Sequence, residues 1–431
     1  MGRILNERER TLRETAQRVL PAGSFGNTAL EIVIAEGKGG RVRDVSGNEY
    51  VDFLLGSGPM FLGHAHPEVE AAVAAQLPKG TTFFALSEPG IHLAEEIVRA
   101  VPCAEKVRFV SSGTEADAYA MRLARAFRRR EKILKFEGGY HGMSDYSLMS
   151  LAPKRPGNFP QAVPDSAGIP ASVRGEMLIA PFNDAALAQN LIFEHREELA
   201  GVIVEPFQRL LAPVPGFLEA LRKITAELGI PLIFDEVVTG FRFAYGGAQE
   251  YYGVTPDLCT LGKIIGGGFP LAAIAGRADI MAHFDRSAVG DERYLMQIGT
   301  LSGNPVAATA GLASLEILRR TGTYERVFAT GRELMAGLSR AIEAEGVPAQ
   351  VIGVPPLFDI AFRSGPVADY RGWLGQDAEM QKRFNRALLE AGVLKGESKF
   401  YVSLAHDAAD VRHAIEAFGR AMAEAAVREA A

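Results

Sequence analysis

Residues Ile230 to Pro270 read IPLIFDEVVTGFRFAYGGAQEYYGVTPDLCTLGKIIGGGFP, and this stretch decides the fold. Pro231-Leu232-Ile233-Phe234 is a short apolar run, the pattern of a buried strand, and Asp235-Glu236 ends it abruptly. A second run, Leu258 to Leu261, stops at Gly262-Lys263 and passes into the glycine cluster Gly266-Gly267-Gly268. Ligands of open α/β sheets sit in the crevice outside the carboxyl ends of the strands. An acid just past one strand end and a lysine just past another therefore point into one crevice.

Catalysis by pyridoxal 5'-phosphate (PLP) needs such a pair. A lysine amine forms a Schiff base with the cofactor aldehyde. A carboxylate pairs with the pyridinium nitrogen, which lets the ring take up the electrons of a breaking Cα–H bond. Glycines beyond the lysine let backbone come close to the ring with no Cβ in the way. Taken singly, Asp235 reads as a strand-end acid and Lys263 as a surface lysine beside a flexible loop. Together, FDEVVTGFR and PDLCTLGKIIGGGFPLAAIAG resemble the signature of the class III aminotransferases. RVRDVSGNEYVDF at 41–53 and GPMFLGHAHPEV at 58–69 are similar to the glutamate-1-semialdehyde aminomutase branch, to which the β-amino-acid aminotransferases are related.

That resemblance implies PLP fold type I. A mainly parallel sheet, covered by helices on both faces, forms a large central α/β domain, and a smaller α+β domain is built from both chain ends. It implies transamination between an amino acid or amine and a keto acid or carbonyl acceptor. Lys263 would form the internal aldimine and carry the 1,3-proton shift, with Asp235 on the pyridinium nitrogen. It also implies a homodimer with shared active sites. The alternatives are an intramolecular 2,1-aminomutase acting on a semialdehyde and, more remotely, a PLP-binding protein without turnover. The intact Asp235–Lys263 pair argues against the last. A nicotinamide oxidoreductase lacks its GxGxxG turn here.

Further motifs fill in the cofactor site. Ser111 to Ala116 (SSGTEA) follows the apolar run Val107–Val110 and opens an alanine-rich helical pattern. N–H groups at a helix start bind phosphate, although the same residues also read as a plain N-cap with Glu115 offsetting the dipole. The resemblance makes Ser112, Gly113 and Thr114 the phosphate donors. Gly139-Tyr140-His141-Gly142 matches the family's aromatic loop. Tyr140 would stack on the pyridine and Val237 pack on its opposite face, while His141 orients Asp235 or closes the shell behind it. Glu205-Pro206-Phe207-Gln208 is similar to the EPxQ pattern of the ornithine and 4-aminobutyrate branches. This implies Gln208 beside the cofactor's phenolic oxygen, with Glu205 pairing a cation near the substrate or capping the strand end. Ile298 to Pro305 (IGTLSGNP) is nearly the family's GTLSGNP, which implies that Thr300 reaches the other subunit's phosphate. Without the resemblance it reads as a β-turn into a helix.

The chain has 431 residues, 48% hydrophobic and 23% charged, an ordinary globular balance that suggests two domains. A net charge of −6 carries no footprint for nucleic acid or an anionic membrane. Cys103 and Cys259 are the only cysteines, too few for a disulfide framework or a thiolate metal site. Gly63-His64-Ala65-His66-Pro67 is a weak metal pattern and reads as a packed loop, so no metal is expected. The charged, helix-like Met1 to Arg18 is no signal peptide, and no apolar run approaches the ~20 residues that span a bilayer. A cytoplasmic location is the expectation.

The expected domains are 1–61 as part of the small domain, 62–307 as the PLP-binding domain and 308–431 as the remainder of the small domain. Helical patterns cover Asn6 to Leu20, Val306 to Arg320, Tyr324 to Ala344 and Asp410 to Arg428, and Ser24 to Ala29 is a turn-rich loop. Short strands at Ile32–Ala35, Arg41–Val45 and Tyr50–Phe53 form a meander. Strand runs fall at Val107–Val110, Lys132–Phe136, Gly201–Val204, Leu232–Phe234, Leu258–Leu261 and Ala272–Ala275. Val351–Phe362 and Tyr401–Ala405 follow them. Ala152 to Gly175, with five prolines, breaks the rhythm, and the resemblance makes it a gate. At substrate positions the chain departs from both branches. Gly56-Ser57-Gly58-Pro59-Met60 lacks a tryptophan, Gly26-Asn27-Thr28 is followed by Ala29 rather than arginine, and Gly396 to Tyr401 replaces a glutamate region. Arg209, Arg242 and Lys399 are the candidates for a substrate carboxylate.

Overall fold

A computed structural model describes residues 3–28 and 30–427; the expectations placed on Ala29 and Arg428 lie outside them. The chain forms two compact units, 68–324 with 365–375, and 1–67 with 325–364 and 376–431.

The first unit is built on a seven-stranded sheet. Its strands are β1 (Lys106–Val110), β2 (Lys132–Phe136), β3 (Met177–Ala180), β4 (Leu199–Val204), β5 (Leu232–Glu236), β6 (Leu258–Leu261) and β7 (Ala272–Gly276). Their order is β1-β7-β6-β5-β4-β2-β3, and every pair is parallel except those that β7 makes with β1 and β6. Strands β3 to β7 are buried at every residue, which is why they read as unbroken apolar runs rather than alternating ones. The short β3 escapes a sequence reading because a proline-rich loop leads straight into it.

Helix α1 (Gly113–Arg128) turns Ala116, Ala120, Leu123 and Ala124 into the core. Helix α2 (Pro305–Leu318) is apolar nearly all round and belongs to this unit, as does the returning segment 365–375. These limits differ from the boundaries at 62 and 308 read from the sequence. The pattern of α2 identifies a helix but not the surface that covers it. The loop at 152–175 is tied down: Met149 bridges Pro164, Gln161 bridges Leu178, and Asp165 Oδ2 accepts from the amides of Leu151 and Ala152.

The second unit holds the antiparallel meander Ile34–Lys38, Arg41–Asp44 and Glu49–Asp52, with Val393–Leu394 added parallel to its last strand. Gln350–Val354, Leu357–Ala361 and Phe400–Tyr401 make a three-stranded antiparallel sheet. The run expected as one strand at 351–362 is therefore a hairpin, turned at Pro355-Pro356, because proline cannot donate to a ladder. His64 Nε2 lies 2.7 Å from Asp52 Oδ2, an internal pair of the packed loop. Among the described residues, no helix is long and apolar enough to cross a membrane.

Candidate active site

Strands β5 and β6 lie side by side in a register that sets Asp235 opposite Thr260 and Glu236 opposite Leu261. Asp235 thus stands at the carboxyl edge, and Lys263 follows two residues after β6 in the tight turn Lys263–Gly266. Lys263 has φ +48°, a left-handed conformation that costs a residue with a Cβ of order 1–2 kcal/mol. Helix α2 holds this turn by direct backbone packing. A Cβ on Gly311 would lie 2.0 Å from the Ile265 carbonyl oxygen.

Val237 ties three motifs together. A Cβ on Gly113 would come within 2.9 Å of its Cγ1, and one on Gly262 within 3.1 Å. The start of α1, the acid-bearing strand end and the approach to the lysine therefore meet around a single side chain. The expected face-packing residue is also the point of convergence.

Asp235 is buried and fully engaged. His141 Nδ1 lies 2.8 Å from its Oδ2, and the Val237 amide donates to its Oδ1 at 3.1 Å. The ring of His141 is inaccessible, so it orients the acid from behind rather than meeting substrate. Its Nε2 and the Oε1 of buried Gln208 have no hydrogen-bond partner among the described residues. Gln208 Nε2 donates to the Glu137 carbonyl at 2.8 Å, and Glu205 Oε2 accepts from the Tyr140 amide at 2.8 Å. Both strand-end residues thereby fix the 137–142 loop. Tyr140 is 43% exposed, with the Arg209 guanidinium 5.6 Å from its ring centroid. Its partial burial pushes the phenol pKa up, keeping it protonated.

At the start of α1, Ser112 caps the helix and forms a capping box with Glu115. Glu115 Oε2 takes the amides of Ser111 and Ser112, at 2.8 and 3.0 Å. The first-turn amides of Gly113 and Thr114 are those that helix geometry leaves without intrahelical acceptors. SSGTEA therefore carries the N-cap at Ser112, and the Gly113 and Thr114 amides beside it are left open to an anion. The 139–142 loop closes on this start: the Met143 amide donates to Thr114 Oγ1 at 3.2 Å. A Cβ on Gly142, at φ +83°, would sit 2.6 Å from Thr114 Oγ1. Gly142→Ala is accordingly expected to cost about 2 kcal/mol in denaturant unfolding and to weaken PLP binding together with it.

Thr300 is exposed on a turn whose carbonyl accepts from Thr82 Oγ1 at 3.4 Å. Among the described residues, no hydrogen bond or ion pair joins it to Asp235. Around it lie exposed apolar side chains on the two joined segments, among them Phe84 and Leu86, Ile298 and Leu301.

Some residues escaped the sequence reading. Lys135 on β2 is buried, and its Nζ donates to the carbonyls of Gly139, Ser147 and Met149 at 3.1, 2.8 and 2.8 Å, fastening the loop that carries Tyr140. Burial pushes its pKa down to about 7. Arg371, from the returning segment, forks onto both oxygens of buried Glu137, at 2.7 and 3.1 Å. Asp117 on α1 accepts the Thr260 hydroxyl at 2.6 Å. One donor atom each of Asp117, His141 and Asp235 falls within 4.8 Å of the other two. A carboxylate on the apolar stripe of an amphipathic helix was the available signal. Of the carboxylate-binding candidates, Arg242 is wholly buried, with Nε on the Val238 carbonyl, whereas Arg209 stands beside Tyr140.

A buried acid, a helix start with open amides, a strained lysine turn and glycines wherever backbone must approach form a donor set that fits PLP. The sequence matches the family model for class-III aminotransferases over residues 23–422. Among solved structures, an omega-transaminase from Sphaerobacter thermophilus is 37% identical with TM-score 0.92, covering 97% of each chain. A transaminase with PLP bound is 30% identical with TM-score 0.89, covering 98% of this chain and 99% of that one. A glutamate-1-semialdehyde aminomutase from Pseudomonas aeruginosa PAO1 has TM-score 0.87 over 98% and 95% of the chains. At 24% identity, that likeness is one of fold.

Proposed function

This chain belongs to the class III aminotransferases, PLP-dependent enzymes, and from that premise we propose that it moves an amino group from an amine or amino acid to a carbonyl acceptor through Lys263 and Asp235. The observation that carries the assignment of roles is the convergence of Gly113, Val237 and Gly262, which brings helix start, acid and lysine to one place. Bound PLP supplies an electron-withdrawing ring that takes up the electron pair of a broken Cα–H bond.

The chain's own residues do the rest. Lys263 Nζ would hold the cofactor aldehyde until the incoming amine replaces it, and would then be the base that takes up and returns the proton of the substrate Cα. Asp235, fixed by His141 and the Val237 amide, keeps a negative charge opposite the ring nitrogen. Ser112, Gly113 and Thr114 bind the phosphate, and Tyr140 and Val237 cover the two ring faces. Gln208, whose Nε2 is held by the Glu137 carbonyl, would stand beside the cofactor's phenolic oxygen, and Glu205 positions Tyr140 through its amide. Arg209, beside Tyr140, is the cation best placed for an acidic substrate group.

The exposed apolar side chains around Thr300 support a homodimer in which Thr300 completes the partner's phosphate site. Buried, unpaired Cys103 and Cys259 suit a reducing, cytoplasmic setting.

The test is a two-stage assay. Protein loaded with PLP is mixed with amines, α-amino acids or β-amino acids, and the loss of the visible cofactor band is followed; a 2-oxo acid is then added to restore it. A transaminase shows both stages. Turnover of an amino aldehyde with no added acceptor would assign the aminomutase reaction instead. A protein that takes up no PLP, or whose band no donor alters, overturns the reading.

A further inference from the structure

Asp117 is a carboxyl group 2% exposed, on the face of α1 that also buries Ala116, Ala120 and Ala124. Burying a carboxylate there costs several kcal/mol unless it is paired or protonated. Among the described residues, no lysine or arginine forms an ion pair with it. Instead one of its oxygens lies within 4.8 Å of an oxygen of a second carboxyl, Asp235, whose Oδ2 meets His141 Nδ1 at 2.8 Å, and a third carboxyl, Glu205, is near. The single proton of the Thr260 hydroxyl goes to Asp117 Oδ1 at 2.6 Å rather than to Asp235 Oδ1 at 3.4 Å.

We propose that Asp117 is a positioning residue that serves Asp235 as a neutral carboxylic acid, donating its O–H to Asp235 while its other oxygen accepts the Thr260 hydroxyl. The inference rests on the reading of Asp235 as the acid that faces the PLP ring nitrogen. Two buried carboxyls in contact cannot both be ionised, so one must hold a proton. Burial first, and the charge of Asp235 second, push the pKa of Asp117 well above the usual carboxylate range. Titratable groups facing it are Asp235 on β5, Glu205 just past β4, and Tyr140 and His141 on the loop after β2.

The consequence is a fully committed anion. Asp235 receives His141 on Oδ2 and the Val237 amide on Oδ1, and the Asp117 acid would add a third donor, which fixes the plane of its carboxylate and stabilises its charge. Without the Asp117 donor, the anion would draw the ring proton more strongly to itself. The ring would carry less positive charge, and the protonated nitrogen joined to Lys263 would hold its proton to higher pH.

The measurement is a pH titration of the visible band of PLP-loaded protein, with the PLP dissociation constant determined alongside. Asp117→Asn keeps one acceptor and one neutral donor in the same places and is expected to titrate within a few tenths of a unit of wild type. Asp117→Ala is expected to raise the midpoint by about one pH unit and to weaken PLP about ten-fold. Should Asp117→Ala fail to fold, Thr260→Val, which frees the acid's other oxygen, is expected to shift the midpoint the same way. An Asn variant as perturbed as the Ala variant would show that Asp117 works as an anion and overturn the proposal. So would wild-type titration in both Ala and Val variants. Wild-type protein with no visible PLP band would instead overturn the functional reading, and this inference with it.

Discussion

Lys263→Ala is expected to give a folded protein whose transamination rate falls at least about 10³-fold, because one side chain supplies two consecutive functions. In the proposed mechanism its amine is both the nucleophile that exchanges the cofactor aldehyde with the substrate and the base that moves the proton. General acid–base catalysis alone is worth roughly 10²–10⁴. Losing the nucleophile at the same position leaves no residual route at comparable rate. Stability should be nearly unchanged, since the left-handed backbone at 263 costs alanine about what it costs lysine, and the turn is held by its packing on α2. Single-turnover rates with an amino donor, beside far-UV circular dichroism and thermal unfolding, check both halves. Retention of even about a tenth of the wild-type rate would show that Lys263 is not the group at the reacting centre.

Asp235→Asn is expected to keep PLP bound but to slow Cα–H cleavage by about 10³-fold, the scale of removing one preorganised electrostatic partner from a buried site. The amide is nearly isosteric, so the Val237 amide can still donate to the side-chain oxygen and the fold persists. The negative charge opposite the ring nitrogen is lost, and so is the anionic acceptor that His141 meets at 2.8 Å. Without that charge the ring nitrogen gives up its proton and electron uptake by the ring is weakened. Exchange of the substrate Cα hydrogen for deuterium isolates this step from binding and product release. Unchanged exchange with unchanged PLP affinity would place Asp235 away from the ring.

The sequence by itself determined most of the scaffold and the central pair. Strands covered on both faces read as nearly continuous apolar runs, so β4, β5, β6 and β7 announce themselves. The residues that end β5 and follow β6 are then bound to reach one crevice. Local geometry also wrote the start of α1, since a capping box and a phosphate site use the same small hydroxyl and glycine residues. What tertiary structure alone decided lies in contacts between distant segments. Hydrophobic pattern could not place α2 with the sheet, nor bring 365–375 back so that Arg371 meets Glu137, because periodicity specifies which face is buried and not what buries it. The same holds for Lys135 and Asp117. Each is an ordinary charged letter in its own strand or helix, and only the close approach of the 139–149 loop to one, and of Asp235 and Thr260 to the other, gives it its physical character.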